Sequence, residues 1–343
     1  MIETTSVGEK TAAPQGSALQ RSPRKPRLPG VVAVLIRRLL WAIPLILVVT
    51  AFSFVLVSLT PGDPAREMLG IDASEEAYLA LRSQLGLDRP VWEQYISWLL
   101  NALQGNLGTS IYTGGSVSEA IAARMPVTIS LVVASLLLSL IIGMIVGVYS
   151  AARGGWSGKL VDSLALVGFA LPTVWVGALL IGLFAVRFRW LPASGYVPFA
   201  EDPMAWLLCL VLPVTALATH AVAAISKQTR EAMLDVLGSE HIRMARANGV
   251  GEVSLVLRHS LKNAGLRIST VLGLQAIGLL GGTVLVESVF GLPGLGGLAV
   301  EASRRHDLPV IQGIVLVFTV FVVLINVAID LAYSWLNPRV SAR

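Results

Sequence analysis

Six long apolar runs, separated by polar segments, dominate the pattern of hydrophobic and polar positions along the chain. They cover residues 39–59, 128–152, 161–186, 204–225, 268–290 and 310–336. A helix that crosses about 30 Å of hydrocarbon needs roughly 20 apolar residues. Composition agrees, because 55% of the 343 residues are hydrophobic and only 14% are charged. The pattern therefore predicts an all-α integral membrane protein with six transmembrane helices.

The distribution of lysine and arginine predicts the orientation of these spans. Six crossings place both termini on the same side of the membrane. If that side is the cytoplasm, the inner segments carry 18 of the 26 basic residues and the outer segments carry 8. Cytoplasmic segments are the ones enriched in basic residues. We therefore expect cytoplasmic N- and C-termini, a multi-pass location in the cell (plasma or inner) membrane, lipid as a partner and no nucleic-acid partner.

The segments between the spans divide the chain into regions. The first region is rich in Ser, Pro, Ala, Lys and Arg without apolar periodicity, which is typical of disorder. The predicted regions are a disordered basic cytoplasmic tail (1–30), a first transmembrane helix (31–60), an extracytoplasmic loop (61–124), a five-span domain (125–336) with an inner loop (226–267), and a cytoplasmic tail (337–343).

The extracytoplasmic loop shows the pattern of two short helices. Asp72 and Glu75 have the spacing of a capping box, and the helix they begin is predicted to stop at Gly86. A second helix follows Pro90, ends near Gly105 and carries an aromatic and aliphatic stripe, Trp92, Tyr95, Ile96, Leu99 and Leu103. This stripe either lies in the outer membrane interface or packs on the outer mouth of the helix bundle.

The inner loop is much longer than the 2–8 residues that usually connect bundle helices. Gly238 is predicted to end one helix, Ser239 to cap a short second helix, and Gly249 to terminate it. A set of basic side chains, Arg243, Arg246, Arg258 and Lys262, accompanies this pattern. Positive-inside charge beside anionic lipid explains the charges but not the helical punctuation. We therefore interpret the loop as a docking element for a cytoplasmic partner.

Sequence motifs for catalysis or nucleotide binding are missing. The pair Gly158–Lys159 has Arg153 and Leu160 where a P-loop requires glycine and a hydroxyl residue. The four histidines form no HExxH motif, there is no GxSxG motif, and Cys209 is the single cysteine. We expect no enzymatic activity, no cofactor and no metal site in this chain.

Polar and glycine positions in the spans suggest mainly structural roles. Asp162, Glu287 and Asp330 lie within about two turns of a span end, which favours helix pairing or loop anchoring over ion relay. The run GLPGLGG (291–297) is predicted to form a compact turn at the outer end of the fifth span. Two pairs with GxxxG spacing, Gly143/Gly147 and Gly278/Gly282, allow close helix contact.

Seven segments, in order, resemble one protein family. They are LTPGDPAREMLG (59–70), LGLDRPVWEQYISWL (85–99), GNLGTSI (105–111), RMPVTISL (124–131), REAMLDVLGSEHIRMARANGVGE (230–252), VLRHSLKNA (256–264) and VESVFGLPGLGGLAVEASRRHDLPVIQG (286–313). This set resembles the permease subunits of binding-protein-dependent ABC importers, in the dipeptide and oligopeptide branch. The resemblance extends from about residue 35 to the C-terminus, and it implies the type I ABC importer permease fold.

The resemblance also implies a role for the inner loop. Arg243, Met244 and Ala245 stand where the family has its Glu-Ala-Ala motif, with an arginine in place of the glutamate, and Gly249 stands at the family glycine. The implied ATPase-coupling residues are Glu240, Arg243, Met244, Ala245, Arg246, Ala247 and Gly249. No substrate-binding residue can be assigned by this resemblance.

The same resemblance implies the partners and the function. The chain would be a non-catalytic subunit that forms half of a pore with a second, paralogous permease. Two ABC ATPase subunits, or one fused ATPase, would bind ATP and Mg²⁺, and an extracytoplasmic solute-binding protein would deliver a di- or oligopeptide. Alternative cargoes are a nickel complex, a glutathione-like peptide or an oligosaccharide. An alternative of another class is an ion-coupled carrier that works alone.

Overall fold

A computed structural model describes residues 30–70 and 73–336 of the chain, and it is built almost entirely from α-helices. The predicted tails, 1–30 and 337–343, lie outside these ranges apart from Gly30. Within the described ranges, β-structure is limited to an isolated bridge between Thr109 and Ser116. The predicted all-α class is therefore confirmed for the part of the chain that the structure covers.

Five long helices are continuous and apolar enough to cross a membrane. They are α1 (Gly30–Leu59), α5 (Val117–Arg153), α8 (Pro203–Leu237), α11 (Leu261–Phe290) and α13 (Leu308–Leu336). They correspond to five of the six predicted spans. Helix α8 has 35 residues, or about 50 Å at 1.5 Å per residue. It therefore extends beyond the hydrocarbon layer, which explains why the predicted apolar run covers only part of it.

The predicted third span is broken rather than continuous. It consists of α6 (Gly155–Ala170) and α7 (Thr173–Leu180), and α7 continues as a π-helical segment, Ile181–Arg187. The axis bends by 96° at the break. Pro172 stands at this point, and it cannot donate the backbone hydrogen bond that would continue α6. The predicted third span, 161–186, is therefore a bent pair of helices rather than one continuous helix.

The bent pair still runs along the whole length of the bundle. Asp162, near the start of α6, forms a salt bridge of 3.0 Å with Arg230, near the end of α8. Phe184, in the π-helical segment, packs into the cluster that contains Cys209 and Leu210, near the start of α8. The pair thus counts as one crossing, which gives six. Both ends of the described chain then lie on one side, and their cytoplasmic placement remains a prediction.

Shorter helices lie at the two ends of the bundle, which we call the outer and inner ends according to the predicted orientation. The outer end holds α2 (Pro64–Leu69), α3 (Glu75–Gln84), α4 (Val91–Leu103) and α12 (Leu295–Arg304), and the inner end holds α9 (Glu240–Ala247) and α10 (Glu252–Ser254). The loop after α1 therefore contains three short helices instead of the two predicted. The N-cap of α3 is Ser74, whose hydroxyl accepts from the Ala77 N–H. The predicted cap, Asp72, lies outside the described residues.

Helix α4 uses its aromatic stripe to pack on α1. The Tyr95 hydroxyl lies 3.0 Å from Thr50 Oγ1 and donates to the Leu47 carbonyl at 3.2 Å. The Tyr95 ring also contacts Phe54 edge to face, and Trp98 is buried. Within the predicted stripe, packing on the bundle is therefore confirmed for Tyr95, while Trp92, Ile96 and Leu103 remain exposed.

Helix α8 is the central helix of the bundle, and close approach of α5 to it depends on glycine. A Cβ added to Gly143 would lie 2.7 Å from Ile225 Cγ2, and one added to Gly147 would lie 2.5 Å from the Ser226 carbonyl. This GxxxG pair therefore mediates packing within the chain. In the other pair, Gly282 lies against Leu217 of α8, whereas Gly278 faces open space.

Candidate functional site

The inner loop begins where α8 ends. Gly238 is the C-cap of α8, and Ser239 follows with the extended backbone of an N-cap residue before α9. The predicted helix break and the predicted start of the short helix are therefore confirmed. The capping contact differs, because the Ser239 hydroxyl donates to the Val236 carbonyl instead of accepting from an α9 N–H. The hydroxyl thus fastens α9 to the last turn of α8.

A Schellman turn ends α9. The Gly249 N–H donates to the Arg246 carbonyl at 3.0 Å, and the Val250 N–H donates to the Ala245 carbonyl at 3.2 Å. Gly249 has φ +82°, a conformation that is strained for residues with a Cβ. Asn248 is the C-cap by its geometry, and Gly249 is the residue that reverses the chain. The predicted termination of the helix at this glycine is confirmed.

One residue anchors α9 while the rest of the helix faces outward. Ile242 is fully buried, and it is the only buried residue of α9. Six of the seven residues predicted to couple to an ATPase are exposed, and Ala245 is half-buried: Glu240, Arg243, Met244, Ala245, Arg246, Ala247 and Gly249. The structure therefore brings all seven to one short helix and its terminating turn, with Met244 as the largest exposed apolar side chain among them.

Exposed ion pairs link α9 and its neighbours. Arg246 forms two hydrogen bonds with Glu252, Nε to Oε1 at 2.5 Å and Nη2 to Oε2 at 3.1 Å. These bonds from Arg246 lower the pKa of the Glu252 carboxyl group. Arg267 forms a second pair with Asp235, which joins α11 to α8. The sequence indicated that Arg246 belongs to a basic surface, but it did not reveal the ion pair with Glu252, six residues further on.

A rare helix type lies in the later part of the inner loop. Residues Leu255–Ser260 form a π-helical segment between α10 and α11. Such segments occur often at functional sites and hinges. Nothing in the sequence predicted it. The side chains of Arg258 and Lys262, which were part of the predicted basic surface, lie outside the described residues.

At the outer end, a buried carboxyl group organises the glycine-rich turn. Thr128 Oγ1 donates to Glu287 Oε1 at 2.7 Å, and the Gly297 N–H donates to Glu287 Oε2 at 3.0 Å. The Leu295 N–H donates to Thr128 Oγ1 at 2.9 Å. A Cβ on Gly294 would lie 2.1 Å from Glu287 Cδ, which explains the glycine. The predicted compact turn and the structural role of Glu287 are confirmed.

The turn between α12 and α13 is fastened to the loop that precedes α5. Asp307 accepts from the Ser110 hydroxyl at 2.5 Å and from the Ile111 N–H at 3.2 Å. The neighbouring His306 Nδ1 lies 2.9 Å from Glu67 Oε1, and Glu67 also accepts from Tyr112. Burial, together with the hydrogen bond to Glu67, raises the pKa of the Tyr112 hydroxyl. The outer end is therefore held by contacts between segments distant in sequence.

Of the three polar span residues noted in the sequence, two have clear partners. Asp162 joins α6 to α8 through Arg230, and Glu287 binds the turn before α12. Both contacts support the predicted structural role. The side chain of Asp330 lies outside the described residues. In the described part of the chain, no cluster of His, Cys, Asp and Glu could hold a metal ion.

Comparison with protein families identifies the architecture. A family model described as "Binding-protein-dependent transport system inner membrane component" matches residues 139–342, more than half of the chain. A second model, which describes the N-terminal part of such membrane components, matches residues 31–132. The chain belongs to this family. It is therefore an inner-membrane permease subunit of an ABC importer, and the predicted family is confirmed.

Relatives match the permease along nearly its whole length. A protein named as a peptide transport system permease from Brucella abortus (strain 2308) is 41% identical over 311 residues, which are 90% of this chain and 99% of the relative. A protein named as a peptide ABC transporter permease from Sinorhizobium fredii is 38% identical, covering 89% and 98% of the two chains. The glutathione transport system permease GsiC of Escherichia coli O6:H1 is 37% identical, covering 89% and 97%.

A solved structure confirms the fold of the permease. A chain of the inward-facing MetNI methionine ABC transporter superposes with a TM-score of 0.52, at 17% sequence identity. The match covers 63% of this chain and 96% of the MetNI chain. As a member of this family, the permease is a non-catalytic membrane subunit that works with ATPase and solute-binding partners. This confirms the expectation that the chain is not itself an enzyme.

Proposed function

We propose that this permease imports peptides, and that α9 is the helix through which ATPase subunits drive it. The observation that carries this proposal is the geometry of α9, a short helix with one buried anchor, Ile242, and an exposed outer face. The Schellman turn at Gly249 fixes where the helix ends. A helix held between two long membrane helices can transmit the movement of a bound partner to the bundle.

The partner assembly follows from what the family requires and from surfaces of this chain. Two ATPase subunits, or one fused ATPase, bind ATP and Mg²⁺ and contact the exposed face of α9. A second, paralogous permease completes the pore. The exposed face of α11 supports such a contact, because Gly278 and Gly281 face open space between exposed Leu274 and Leu285. Small residues of this kind allow close packing of transmembrane helices.

The proposed cargo is a di- or oligopeptide, delivered by an extracytoplasmic solute-binding protein. Two of the relatives described above, at 41% and 38% identity, are named for peptide transport. The relative at 37% identity is named for glutathione, itself a peptide, which makes a glutathione-like peptide the second candidate. Nickel complexes and oligosaccharides are the remaining cargo alternatives. ATP binding would close the ATPase dimer and switch the pore between outward and inward access.

The test of coupling is the substitution Gly249→Val in the complete transporter, reconstituted in proteoliposomes with its solute-binding protein. Valine is strained at φ +82°, so α9 should lose its terminating turn. We expect the complex to assemble and hydrolyse ATP while ATP-driven peptide uptake falls at least tenfold. Gly249→Asn should retain most uptake, because asparagine tolerates left-handed backbone.

The matched control is Gly251→Val, two residues further on. Gly251 has φ −63°, and a Cβ added to it meets nothing within 4 Å. This control should transport normally. Normal uptake by Gly249→Val would contradict the coupling role of α9. Uptake that persists without any ATPase subunit and dissipates a proton gradient would instead support an ion-coupled carrier.

A further inference from the structure

The break in the third span exposes irregular backbone inside the membrane. Around Pro172, Phe169 is 41% exposed, Leu171 46% and Trp175 72%. Pro172 has no N–H to donate to the Gly168 carbonyl, one turn earlier. Non-helical backbone at membrane depth persists only where protein buries it or where it lines a water-filled cavity. Gly168 itself is buried against Ala223 of α8, so the chain covers that carbonyl. Residues 169–172 are exposed, and a partner chain or water must face this part of the break.

A histidine lies directly beside this break. The His220 ring contacts Phe169 edge to face, with 4.8 Å between ring centroids and an interplanar angle of 80°. His220 is exposed, and it precedes Lys227, the first charged residue towards the inner end of α8, by seven residues. That spacing places it about 10 Å inside the apolar layer. Imidazole is costly to expose to lipid, and polar residues within spans usually face an interior or an aqueous cavity.

His220 differs in its hydrogen bonding from the two threonines that precede it on α8. The hydroxyls of Thr215 and Thr219 donate to carbonyls one turn earlier, so their protons need no hydrogen-bond partner outside the helix. The His220 ring nitrogens have no hydrogen-bond partner among the residues that the structure describes. His220 therefore presents a hydrogen-bonding group, able to donate from one ring nitrogen and accept at the other, at the level of the broken span.

We propose that His220 and Phe169, together with the break at Pro172, form part of the aqueous wall along which cargo crosses the membrane, and that His220 hydrogen-bonds the peptide backbone or its terminal carboxylate. This inference rests on the proposed function and assigns residues to it. Phe169 supplies an apolar surface for cargo side chains, while the imidazole replaces water lost by the peptide's polar groups. A lipid tail offers no partner for the imidazole, and a tightly packed sister helix would exclude water from it.

An aqueous wall, lipid and a dry subunit interface differ in whether water reaches residue 220. Because Cys209 is the single cysteine of the chain, replacing it allows water access to be measured at one introduced cysteine. In a Cys209→Ala background, His220→Cys is introduced into the complete complex in nanodiscs and treated with a membrane-impermeant methanethiosulfonate. Modification of this chain is read by mass spectrometry. Ala221→Cys, whose position is buried, should remain unmodified, and Glu76→Cys, on the exposed face of α3 and away from the ATPase-coupling helix, should react fully. We expect His220→Cys to react at least tenfold faster than Ala221→Cys.

Cargo contact is tested in the same complex with solute-binding protein loaded with di- to penta-alanines and with ATP turning over. We expect the peptides to slow modification of His220→Cys severalfold and to leave that of Glu76→Cys unchanged. No modification of His220→Cys in any state would overturn the proposal, because it would place residue 220 in lipid or a dry subunit interface. Modification that peptides do not slow would overturn the cargo contact.

Transport by two further variants checks the hydrogen bond itself. His220→Leu should lower peptide uptake per ATP hydrolysed about fivefold, the effect of losing one net hydrogen bond, while His220→Gln should keep most of it. Equal uptake by His220→Leu and the parent would overturn the binding role. If the Cys209→Ala parent itself imports no alanine peptide while its ATPases remain bound, the proposed peptide cargo fails separately. If water then reaches His220→Cys but peptide does not slow its modification, the proposed contact between residue 220 and the cargo is overturned as well.

Discussion

The two ends of the permease hold their loops with the same kinds of polar group in different surroundings. At the outer end, Glu287 and Asp307 are 1% and 4% exposed. Each accepts a hydrogen bond from a distant segment, Glu287 from the Thr128 hydroxyl and Asp307 from the Ile111 N–H. At the inner end, the side chains of Arg246 and Glu252 are 48% and 62% exposed. A buried polar group costs much free energy when its partner is removed, whereas an exposed ion pair contributes little.

The difference indicates which end is a fixed frame and which end can be moved. The outer turn is held by hydrogen bonds of buried groups, and water cannot reach these groups to replace a lost bond. Helix α9 depends on one buried side chain, Ile242, and on backbone geometry at Gly249. A partner that binds α9 therefore works against few internal contacts, while the outer frame keeps the helices together during the movement.

The largest expected effect is on the outer frame. Glu287→Ala leaves the Gly297 N–H and the Thr128 hydroxyl without acceptors in a buried site. We expect the free energy of unfolding to fall by about 3 kcal/mol or more. The measurement is the midpoint of thermal unfolding of the purified complex in detergent. If Glu287→Ala yields no folded complex, Glu287→Gln, which keeps the volume and one acceptor, should show a smaller decrease.

Ser288→Ala is the matched control for this prediction. Ser288 is exposed, and its hydroxyl donates to the Val284 carbonyl within its own helix. Its replacement should leave the unfolding midpoint nearly unchanged. Equal midpoints for Glu287→Ala and Ser288→Ala would show that the outer turn is not held by Glu287, and the contrast between the two ends would disappear.

The second effect concerns the one buried side chain of α9. Ile242→Ala removes apolar contacts at a fully buried site, and we expect α9 to be destabilised locally by about 2 kcal/mol. Hydrogen exchange of residues 240–247 should then be faster, with little change in the spans. Met244→Ala, on the exposed face of the same helix, should leave this exchange unchanged. Equal exchange in the two variants would mean that α9 is held mainly by its turns.

The inner loop could be predicted well because its signals are local. Gly238 and Gly249 lie two residues outside the two ends of α9, and both act through backbone geometry near their own position. The outer frame could not be predicted in this way. Thr128 and Glu287 are 159 residues apart, and only tertiary packing brings them together. The sequence could suggest that Glu287 anchors a loop, but not which groups it binds.

Two misses had different physical causes. The break at Pro172 carried a local signal, since proline removes a helix hydrogen bond, but the continuous apolar run concealed it. The π-helical segment Leu255–Ser260 has no comparable signal, because the same residues suit an ordinary helix. For α3, Ser74 is the capping residue, one helical turn before Tyr78, whose N–H donates to the Ser74 carbonyl.

A smaller effect, on pH dependence, tests an outer contact that is only partly buried. Burial of Asp63 alone would raise its pKa, but hydrogen bonds from Tyr78 and from the Ala65 and Arg66 N–H groups, together with the charge of Arg82, outweigh it and lower the pKa. Asp63 therefore stabilises α2 and α3 above its usual pKa, and this stability is lost as the pH falls through the lowered value.

Hydrogen exchange of α2 and α3, corrected for intrinsic rates, measures this effect between neutral pH and about pH 3. We expect protection to decrease over the acidic part of this range. Asp63→Asn, which cannot titrate, should show weaker protection at neutral pH and little further loss on acidification. An unchanged pH dependence in Asp63→Asn would assign the loss of protection to a group other than Asp63.

The smallest effect on stability, and the sharpest test of the contrast between the ends, is expected at the exposed pair Arg246 and Glu252. The double substitution Arg246→Glu with Glu252→Arg reverses the pair while keeping opposite charges together. Thermal unfolding should stay within experimental error of the parent, because exposed ion pairs add little stability. If α9 docks on an ATPase, the reversed charge at position 246 should nevertheless weaken ATP-driven uptake.

The reversed pair Arg267→Asp with Asp235→Arg, away from α9, is the control and should transport normally. A drop in stability as large as that of Glu287→Ala would mean that the inner loop is a fixed frame as well.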